Sequence, residues 1–270
     1  MKKVYTNCEI AEFANKSEGW VRLLIKNKPE EYQKLVSDYD VTLQEKYKHL
    51  KNKLIACINS KGGVGKSTIL NILANRVENS VIINIDFTAD AEKVNSANTI
   101  NYAPLAQDFT IKEVIDTAFE DYTYVFIDTP GDISDELMEI IERVDYYILP
   151  FKPGDRSVNG GIETYETLFS EGYVEGEHKI SFIINEYVNE KELEKELAIV
   201  KQRIEEIQLP ETLSLNAAYT SLGSTQVMKT MERDAISIDD LNARNKIAYK
   251  IATKRFNKMS DDIIQHFELN

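Results

Sequence analysis

Short apolar runs alternate with amphipathic stretches along most of the chain after residue 53. The runs are rich in Val, Ile and Tyr, which favour strands, and helical spacing of apolar residues follows most of them. Repeated strand–helix units predict a doubly wound, mostly parallel α/β sheet that binds ligands at the carboxyl ends of its strands. We predict strands at residues 54–58, 81–86, 124–128, 146–150, 180–184 and 211–215, and helices at residues 69–74, 111–119, 134–143, 157–169, 190–208 and about 239–267.

The first 52 residues show only helical patterns, so we predict a small all-α module at residues 1–52 and a second domain at residues 53–270. Thr6 and Glu9 have the spacing of a capping box, Ser17 can cap a second helix, and Pro29 suits the start of a third helix over residues 30–36. A linker helix is predicted at residues 40–53. The side chains expected to face inward are Ile10, Ala11, Phe13, Ala14, Trp20, Val21, Leu24 and Ile25.

Two short helices joined by a tight polar turn are typical of a helix-turn-helix. In that interpretation the second helix, residues 18–27, enters a DNA groove, and Arg22 and Lys26 on its outer side contact DNA. A helical hairpin that serves only packing or dimerisation is the alternative, and the pattern does not decide between the two.

The net charge of −13 is unevenly distributed. Residues 54–228 carry 13 Lys and Arg against 30 Asp and Glu, whereas residues 1–53 carry 11 against 8 and residues 229–258 carry 8 against 4. This argues against a generally basic nucleic-acid binder, so DNA contact is expected only at the two basic ends. Two isolated cysteines form no metal or disulfide framework, and neither a signal peptide nor an apolar run of 18 residues occurs. We therefore expect a cytoplasmic protein without membrane contact.

The most specific motif is a glycine-rich stretch between a predicted strand and a predicted helix: Lys61, Gly62, Gly63, Val64, Gly65, Lys66, Ser67 and Thr68. This arrangement is a phosphate-binding P-loop. Glycines let backbone N–H groups approach phosphate oxygens, and the helix N-terminus adds positive potential. Lys66 can reach the outer phosphates, and the hydroxyl of Ser67 can bind Mg²⁺. A glycine-rich turn that binds nothing is the alternative, but eight matching positions favour the P-loop.

An ordinary P-loop does not require a lysine at position 61. The sequence K-G-G-V-G-K-S-T resembles the deviant Walker A motif of the ParA/MinD family of dimeric ATPases, and the resemblance covers residues 53–270. It implies ATP and Mg²⁺ as ligands and an ATP-dependent homodimer. It also implies that Lys61 reaches the phosphates of the partner subunit, neutralises their charge and acts with Lys66 in catalysis.

Two aspartates close predicted strands at the same edge as the P-loop. Asp128 matches the Walker B position and is expected to hold Mg²⁺ through water, although an acid at a strand end can also cap a turn. Asp86 matches the first aspartate of the family's D-x-D element and is assigned a catalytic role. Thr88 stands where family members usually have a second aspartate that orients the attacking water. Threonine cannot act as a carboxylate base, so slow hydrolysis is expected unless Asp90 substitutes.

The resemblance also assigns residues around the base and the γ-phosphate. Asn185 matches the adenine-reading asparagine, whose amide offers both a donor and an acceptor, although an asparagine that starts a turn is the alternative. Pro210 is predicted to shape the other side of the base pocket. Residues 129–131 are predicted to form a γ-phosphate switch, and Pro150 and Pro153 to bound a loop that matches the dimer and switch region.

A basic row follows the predicted C-terminal helix. Lysines repeat every four residues with two arginines near them, at Lys246, Lys250, Lys254, Lys258, Arg244 and Arg255. The apolar side of the helix is predicted at Ile247, Ile251, Met259 and Ile263. Such a row can be a solvated face. In ParA-type proteins this region binds nucleoid DNA, so the resemblance implies nonspecific, salt-dependent DNA contact.

The resemblance as a whole implies a DNA-partitioning ATPase whose ATP dimer binds plasmid or chromosomal DNA until a ParB-like partner stimulates hydrolysis. A MinD-like positioning ATPase is one alternative, but the acidic stretch 260–270 suits no lipid-binding helix. A nucleotide-gated transcriptional repressor that acts through residues 6–36 is another. An electron carrier would need cluster cysteines, which Cys8 and Cys57 cannot provide. A tyrosine kinase of this superfamily would need clustered tyrosines in its C-terminal stretch, and residues 260–270 contain none.

Overall fold

The computed structural model describes residue 5 and residues 7–47, 51–86, 98–187, 189–223 and 247–269. Contacts divide the chain into two compact units, residues 1–51 and residues 52–270.

The first unit contains three helices among its described residues: α1 (Asn7–Phe13), α2 (Glu18–Asn27) and α3 (Pro29–Tyr47). Ser17 caps α2 as predicted, because its Oγ accepts the backbone N–H of Trp20 at 3.2 Å. Thr6, the predicted cap of α1, lies outside the described residues. The core of the unit consists of buried side chains from α1 and α2 packed against partly buried side chains of α3: Ile10, Ala11, Val21, Tyr32, Leu35, Val36 and Tyr39.

Two predictions for this unit are wrong. The third helix and the linker helix are one continuous α3, because residues 37–39 contain no helix breaker. Phe13, Trp20 and Ile25 are 37%, 36% and 39% exposed rather than inward, because the narrow contacts between the helices bury only Ile10 and Ala11 of α1 and Val21 and Leu24 of α2. The basic side chains of Arg22 and Lys26 are exposed, as predicted.

The strands of the second unit among its described residues are β1 (Lys53–Cys57), β2 (Ser80–Asn84), β3 (Thr99–Asn101), β4 (Tyr124–Asp128), β5 (Tyr146–Phe151), β6 (Gly176–Tyr187) and β7 (Leu213–Gly223). They form a sheet in which every described pairing is parallel, in the order β3-β2-β4-β1-β5-β6-β7. Apolar side chains cover both faces of the central strands, as expected for a parallel sheet enclosed by helices. The predicted α/β class is confirmed.

Helices cover the two faces of this sheet in separate layers. The helices of this unit among the described residues are α4 (Lys66–Ala74), α5 (Ile111–Asp121), α6 (Asp135–Ile140), α7 (Asp155–Tyr165), α8 (Glu190–Glu206) and α9 (Ile247–Phe267). One apolar cluster joins the sheet to α5–α8, and a second joins the opposite face to α4 and α9. Thr110 and Ser134 cap α5 and α6.

Element boundaries differ from the predictions where tertiary contacts extend or divide a local pattern. The short β3 was not predicted, and β6 and β7 are longer than expected because they pair with each other over most of their length. The predicted helix at residues 134–143 ends in a 3₁₀ turn at Ile141–Arg143, and the one at residues 157–169 continues α7 as a π-helical turn at Glu166–Ser170.

Helix α9 buries Met259 and Ile263, as predicted for its apolar side, but the rest of its buried row differs from the prediction. Ile251 is 50% exposed, so its assignment to the inner side is wrong. Residues 239–246, which include the predicted start of this helix, lie outside the described residues. No described helix is both long and apolar enough to cross a membrane. The buried row is Ala252, Phe256, Met259, Ile263 and Phe267, which pack on the sheet.

Candidate nucleotide-binding site

The glycine-rich loop at residues 61–68 joins β1 to α4 at the carboxyl edge of the sheet. Strand β1 lies between β4 and β5, where the direction of strand addition reverses, and ligands of open α/β sheets bind at this point. Asp128 ends β4, and Asp86 follows β2. The structure therefore brings both predicted acids to the edge that carries the loop.

The backbone of the loop has the conformation that its glycines permit. Gly63 and Gly65 have φ angles of 72° and 95°, a region that side chains disfavour. A Cβ atom at Gly62 or Gly63 would meet nothing within 4 Å, so the loop is open on its outer side. Because α4 begins at Lys66, its N-terminal N–H groups face this opening and suit an anion.

Lys66 is held inside the loop. Its Nζ donates to the backbone oxygen of Asn59 at 3.1 Å, and the residue is only 8% exposed. Burial lowers the pKa of Lys66, and the nearby carboxylates of Asp128 and Asp86 oppose this effect. A phosphate group would supply the strong negative partner that the buried ammonium favours.

Asp128 is almost completely buried, with 3% of its surface exposed. Burial raises its pKa to about 6, against the opposing effects of a hydrogen bond from Ser67 and the charge of Lys66. Its Oδ1 atom has no hydrogen-bond partner within the described parts of the chain. An orphaned carboxylate oxygen beside a serine hydroxyl fits Mg²⁺, which prefers oxygen ligands. Asp86 is close enough to raise the pKa of Asp128 further.

The predicted switch segment, residues 129–131, packs directly against the loop. Thr129 donates its hydroxyl to the carbonyl oxygen of Cys57 at 2.8 Å. A Cβ atom at Gly131 would lie 3.0 Å from the backbone nitrogen of Gly62. Any larger residue at position 131 would therefore push on the phosphate-binding backbone.

Asn185 is fully buried beneath the loop. Its Nδ2 donates to the carbonyl oxygen of Val64 at 2.7 Å, and a Cβ atom at Gly65 would lie 2.2 Å from that nitrogen. The amide thus supports the P-loop in this structure and is not open to a base, although its Oδ1 makes no hydrogen bond with the described residues. Recognition of adenine by Asn185 stays a prediction.

The assignment of Pro210 to the base pocket is wrong. Its carbonyl oxygen accepts from Leu213, the first residue of β7. Pro210 therefore precedes the amino end of a parallel strand, whereas the P-loop lies at the carboxyl edge. The 11 residues of β7 separate the two edges by roughly 33 Å, at ~3.3 Å per residue.

The prediction from sequence did not identify Asn59, Ser60, Gly160 and Thr164, which connect the P-loop to α7. Asn59 is 2% exposed, and its side chain bonds to the backbone of Lys61 and Pro150, both at 2.7 Å. Two signals were available: a polar residue directly after an apolar strand, and two consecutive glycines inside a predicted helix.

The basic residues predicted to contact DNA are not equivalent. Lys250 and Lys254 are exposed, but Lys258 pairs with Asp262 at 3.1 Å, and the guanidinium of Arg255 lies 5.8 Å from the ring of Tyr187. On α2, Arg22 pairs with Glu18 at 3.2 Å.

Four residues with predicted roles lie outside the described residues: Thr88 and Asp90, predicted to affect hydrolysis, and Arg244 and Lys246, predicted to contact DNA.

Several solved structures share this fold over most of the chain. McdA from Cyanothece has a TM-score of 0.56 at 15% sequence identity, and the match covers 78% of this chain and 99% of that chain. MinD from Pyrococcus horikoshii, solved with Mg-ADP, has a TM-score of 0.52 at 15% identity, with coverages of 78% and 96%. The ParA protein of pNOB8, solved with nonspecific DNA, has a TM-score of 0.53 at 13% identity, with coverages of 80% and 99%.

The fold is therefore the one found in these McdA, MinD and ParA structures, which confirms the fold that the resemblance of residues 61–68 implies. No protein-family model and no curated protein matches the sequence. Likeness at 13–15% identity concerns the fold, so activity and partners have to be argued from the site.

Proposed function

We propose that this protein is a partition or positioning ATPase that binds Mg–ATP at the P-loop edge of the sheet. The observation that carries the proposal is the grouping of Lys66, Asp128 and Ser67 around one glycine-rich loop. Burying a lysine and an aspartate costs free energy, and here the two side chains do not bond directly to each other among the described contacts. Phosphate and Mg²⁺ would supply the opposite charges that these groups require.

Each site residue has a distinct role in this proposal. Lys66 and the N-terminus of α4 hold the phosphates, while Ser67 and Asp128 hold Mg²⁺, which neutralises phosphate charge. The exposed Lys61 reaches the phosphates of a second copy, so that dimerisation depends on ATP. Asp86 has a catalytic role next to the γ-phosphate. Hydrolysis is slow because Thr88 offers no carboxylate to orient water.

We further propose that the ATP dimer binds DNA without sequence preference through the exposed lysines of α9, with Arg22 and Lys26 of α2 as a second candidate surface. The pNOB8 ParA protein, whose fold this chain shares, was solved on nonspecific DNA, which supports this choice. A ParB-like partner would stimulate hydrolysis and release the dimer. Such a protein would work in the cytoplasm, on the nucleoid.

The test is binding to an arbitrary-sequence duplex with ATP–Mg²⁺, with ADP–Mg²⁺ and without nucleotide, across a salt series. We expect binding only with ATP–Mg²⁺ and a steep loss of affinity with salt. The variant Lys254→Glu should weaken this binding, whereas Lys195→Glu, an exposed lysine of α8, is the matched control and should not.

Equal binding in every nucleotide state would contradict nucleotide control and would assign DNA binding to the helical module. A protein that binds ATP and dimerises but does not bind DNA at low salt would overturn the DNA part of the proposal and leave a positioning ATPase with another cargo. Failure to bind ATP would overturn the proposal as a whole.

A further inference from the structure

Helix α7 is bonded to the residues that lead into the P-loop. The backbone N–H of Ser60 donates to Oγ1 of Thr164 at 2.8 Å, and Oγ of Ser60 donates to the carbonyl oxygen of Gly160 at 2.8 Å. Thr164 also donates to that carbonyl at 2.8 Å. Because Thr164 is 1% exposed, its hydroxyl acts as acceptor and donor in a contact from which water is excluded.

Asn59 holds the next peptide group from the other side. Its Oδ1 accepts the backbone N–H of Lys61 at 2.7 Å, and its Nδ2 donates to the carbonyl oxygen of Pro150 in β5 at 2.7 Å. The backbone N–H groups of residues 60 and 61 are therefore both held by buried side chains. The side chain of Lys61 is exposed, so the supported part is the backbone from which it extends.

The glycines of α7 allow this close approach. A Cβ atom at Gly160 would lie 3.3 Å from Oγ of Ser60 and 3.4 Å from Cβ of Lys61. At Gly161 it would lie 2.2 Å from Cε1 of Phe151. Two glycines weaken a helix interior, and in α7 the close approach of Ser60 and Lys61 accounts for Gly160 and that of Phe151 for Gly161.

We propose that Thr164 is a positioning residue for Lys61: through Ser60 it fixes the backbone from which Lys61 is presented to the nucleotide of a second copy. The inference rests on the proposed function, in which Lys61 makes dimerisation depend on ATP. Binding across an interface orders both a lysine side chain and the backbone that carries it. A backbone that is already fixed lowers the total entropic cost of this ordering. Thr164 itself touches no nucleotide in this proposal.

The test compares Thr164→Val with Thr164→Ser, which keeps the hydroxyl. Two quantities are measured: affinity of the monomer for a fluorescent ATP analogue at low protein concentration, and dimerisation with AMPPNP and Mg²⁺ by analytical ultracentrifugation. We expect Thr164→Val to weaken dimerisation about tenfold with an unchanged monomer affinity, and Thr164→Ser to restore it. The matched control is Thr117→Val, because Thr117 makes the same bond to its i−4 carbonyl, that of Glu113, on an exposed surface.

A double-mutant cycle with Lys61→Ala separates positioning from a general loss of stability. If Thr164 acts through Lys61, Thr164→Val should weaken dimerisation no further in the Lys61→Ala background. Equal effects of Thr164→Val in both backgrounds, or equal losses of monomer affinity and dimerisation, would overturn the inference. A wild-type protein that does not dimerise with AMPPNP would instead contradict the proposed function.

Gly160→Ala provides a second variant that does not depend on how Thr164→Val folds. Alanine raises helix propensity, so helix stability should be maintained while the new methyl group displaces Oγ of Ser60 by a few tenths of an ångström and strains its bond to Gly160, next to Lys61. We expect the same selective loss of dimerisation. Normal dimerisation of a folded Gly160→Ala protein would contradict the inference.

Discussion

The P-loop edge of the sheet and the basic face of α9 carry the two activities proposed for this chain, and they are built differently. At the P-loop, Lys66 and Asp128 are buried, Lys66 bonds to Asn59, and the side chain of Asn59 holds the backbone of Lys61. On α9, Lys250 and Lys254 extend from a helix whose opposite side packs on the sheet. The P-loop is therefore preorganised for a ligand, whereas α9 presents positive charge without a defined binding geometry.

This difference determines how strongly each region supports a function. A buried, orphaned oxygen such as Oδ1 of Asp128 has a cost that a ligand would relieve, so it indicates a binding site. An exposed lysine has no such free-energy cost of burial, so it fits a solvated surface that binds nothing as well as it fits a binding surface. Mutations should accordingly have large, specific effects at the P-loop and small, graded, salt-dependent effects on α9.

The largest expected effect is that of Lys66→Ala, which should weaken ATP binding about 100-fold because it removes the buried partner of the phosphates. The measurement is isothermal titration calorimetry with ATP–Mg²⁺. Lys112→Ala, an exposed lysine of α5, is the control and should bind normally. If Lys66→Ala retained wild-type affinity, the loop would not be the nucleotide site.

Gly65→Ala should unfold at lower temperature and bind ATP poorly. The new side chain is strained at φ 95° and would lie 2.2 Å from Nδ2 of Asn185. We expect a loss of about 2–4 kcal/mol in the free energy of unfolding, measured by urea denaturation. Gly172→Ala, at a φ of 81° with no atom within 4 Å of the new Cβ, isolates the cost of strain. Equal losses in both variants would show that the contact with Asn185 contributes nothing.

Asp128→Asn should make stability less dependent on pH. The pKa of Asp128 is raised from 3.8 to about 6 in the folded protein, so the folded state binds more protons than the unfolded state between these values. Its contribution to the free energy of unfolding therefore falls by about 2–3 kcal/mol as the pH rises from about 4 to about 6.

Urea denaturation of both proteins without nucleotide, from pH 4 to pH 8, measures this effect. The stability of Asp128→Asn relative to wild type should increase with pH over that window. The same variant should lose the Mg²⁺ dependence of ATP binding, which requires the carboxylate. A pH-independent difference between the two proteins would contradict the assigned pKa.

The smallest effects are expected on α9. Lys250→Ala should reduce the magnitude of the negative slope of log K for DNA binding against log salt concentration by about 1. It should change the free energy of unfolding by no more than about 0.5 kcal/mol. Lys258→Ala should reduce that slope less, because Lys258 already pairs with Asp262 at 3.1 Å. Fluorescence anisotropy across a salt series measures both. Equal slopes for wild type and Lys250→Ala would exclude this face from the DNA contact.

Local pattern predicted the elements around the P-loop well. Tyr124–Asp128 forms the predicted strand with the predicted bounds, because four apolar or aromatic residues precede the acid that ends it. Ser17, Thr110 and Ser134 cap the helices that follow them, because an N-cap bond involves residues only three positions apart. The burial predictions that fail are those for Phe13, Trp20, Ile25 and Ile251, whose exposure depends on which other element packs against each helix.

The order of residues along the chain was sufficient to predict the P-loop, the alternation of strands and helices, and the acid at the end of β4. Each of these features depends on neighbours within a few positions. Only the tertiary structure showed that Thr164 bonds to Ser60 across 104 residues, that Asn185 supports the loop, and that Pro210 lies at the opposite edge. These facts depend on the order and direction of strands in the sheet, which bring together residues that no local pattern connects.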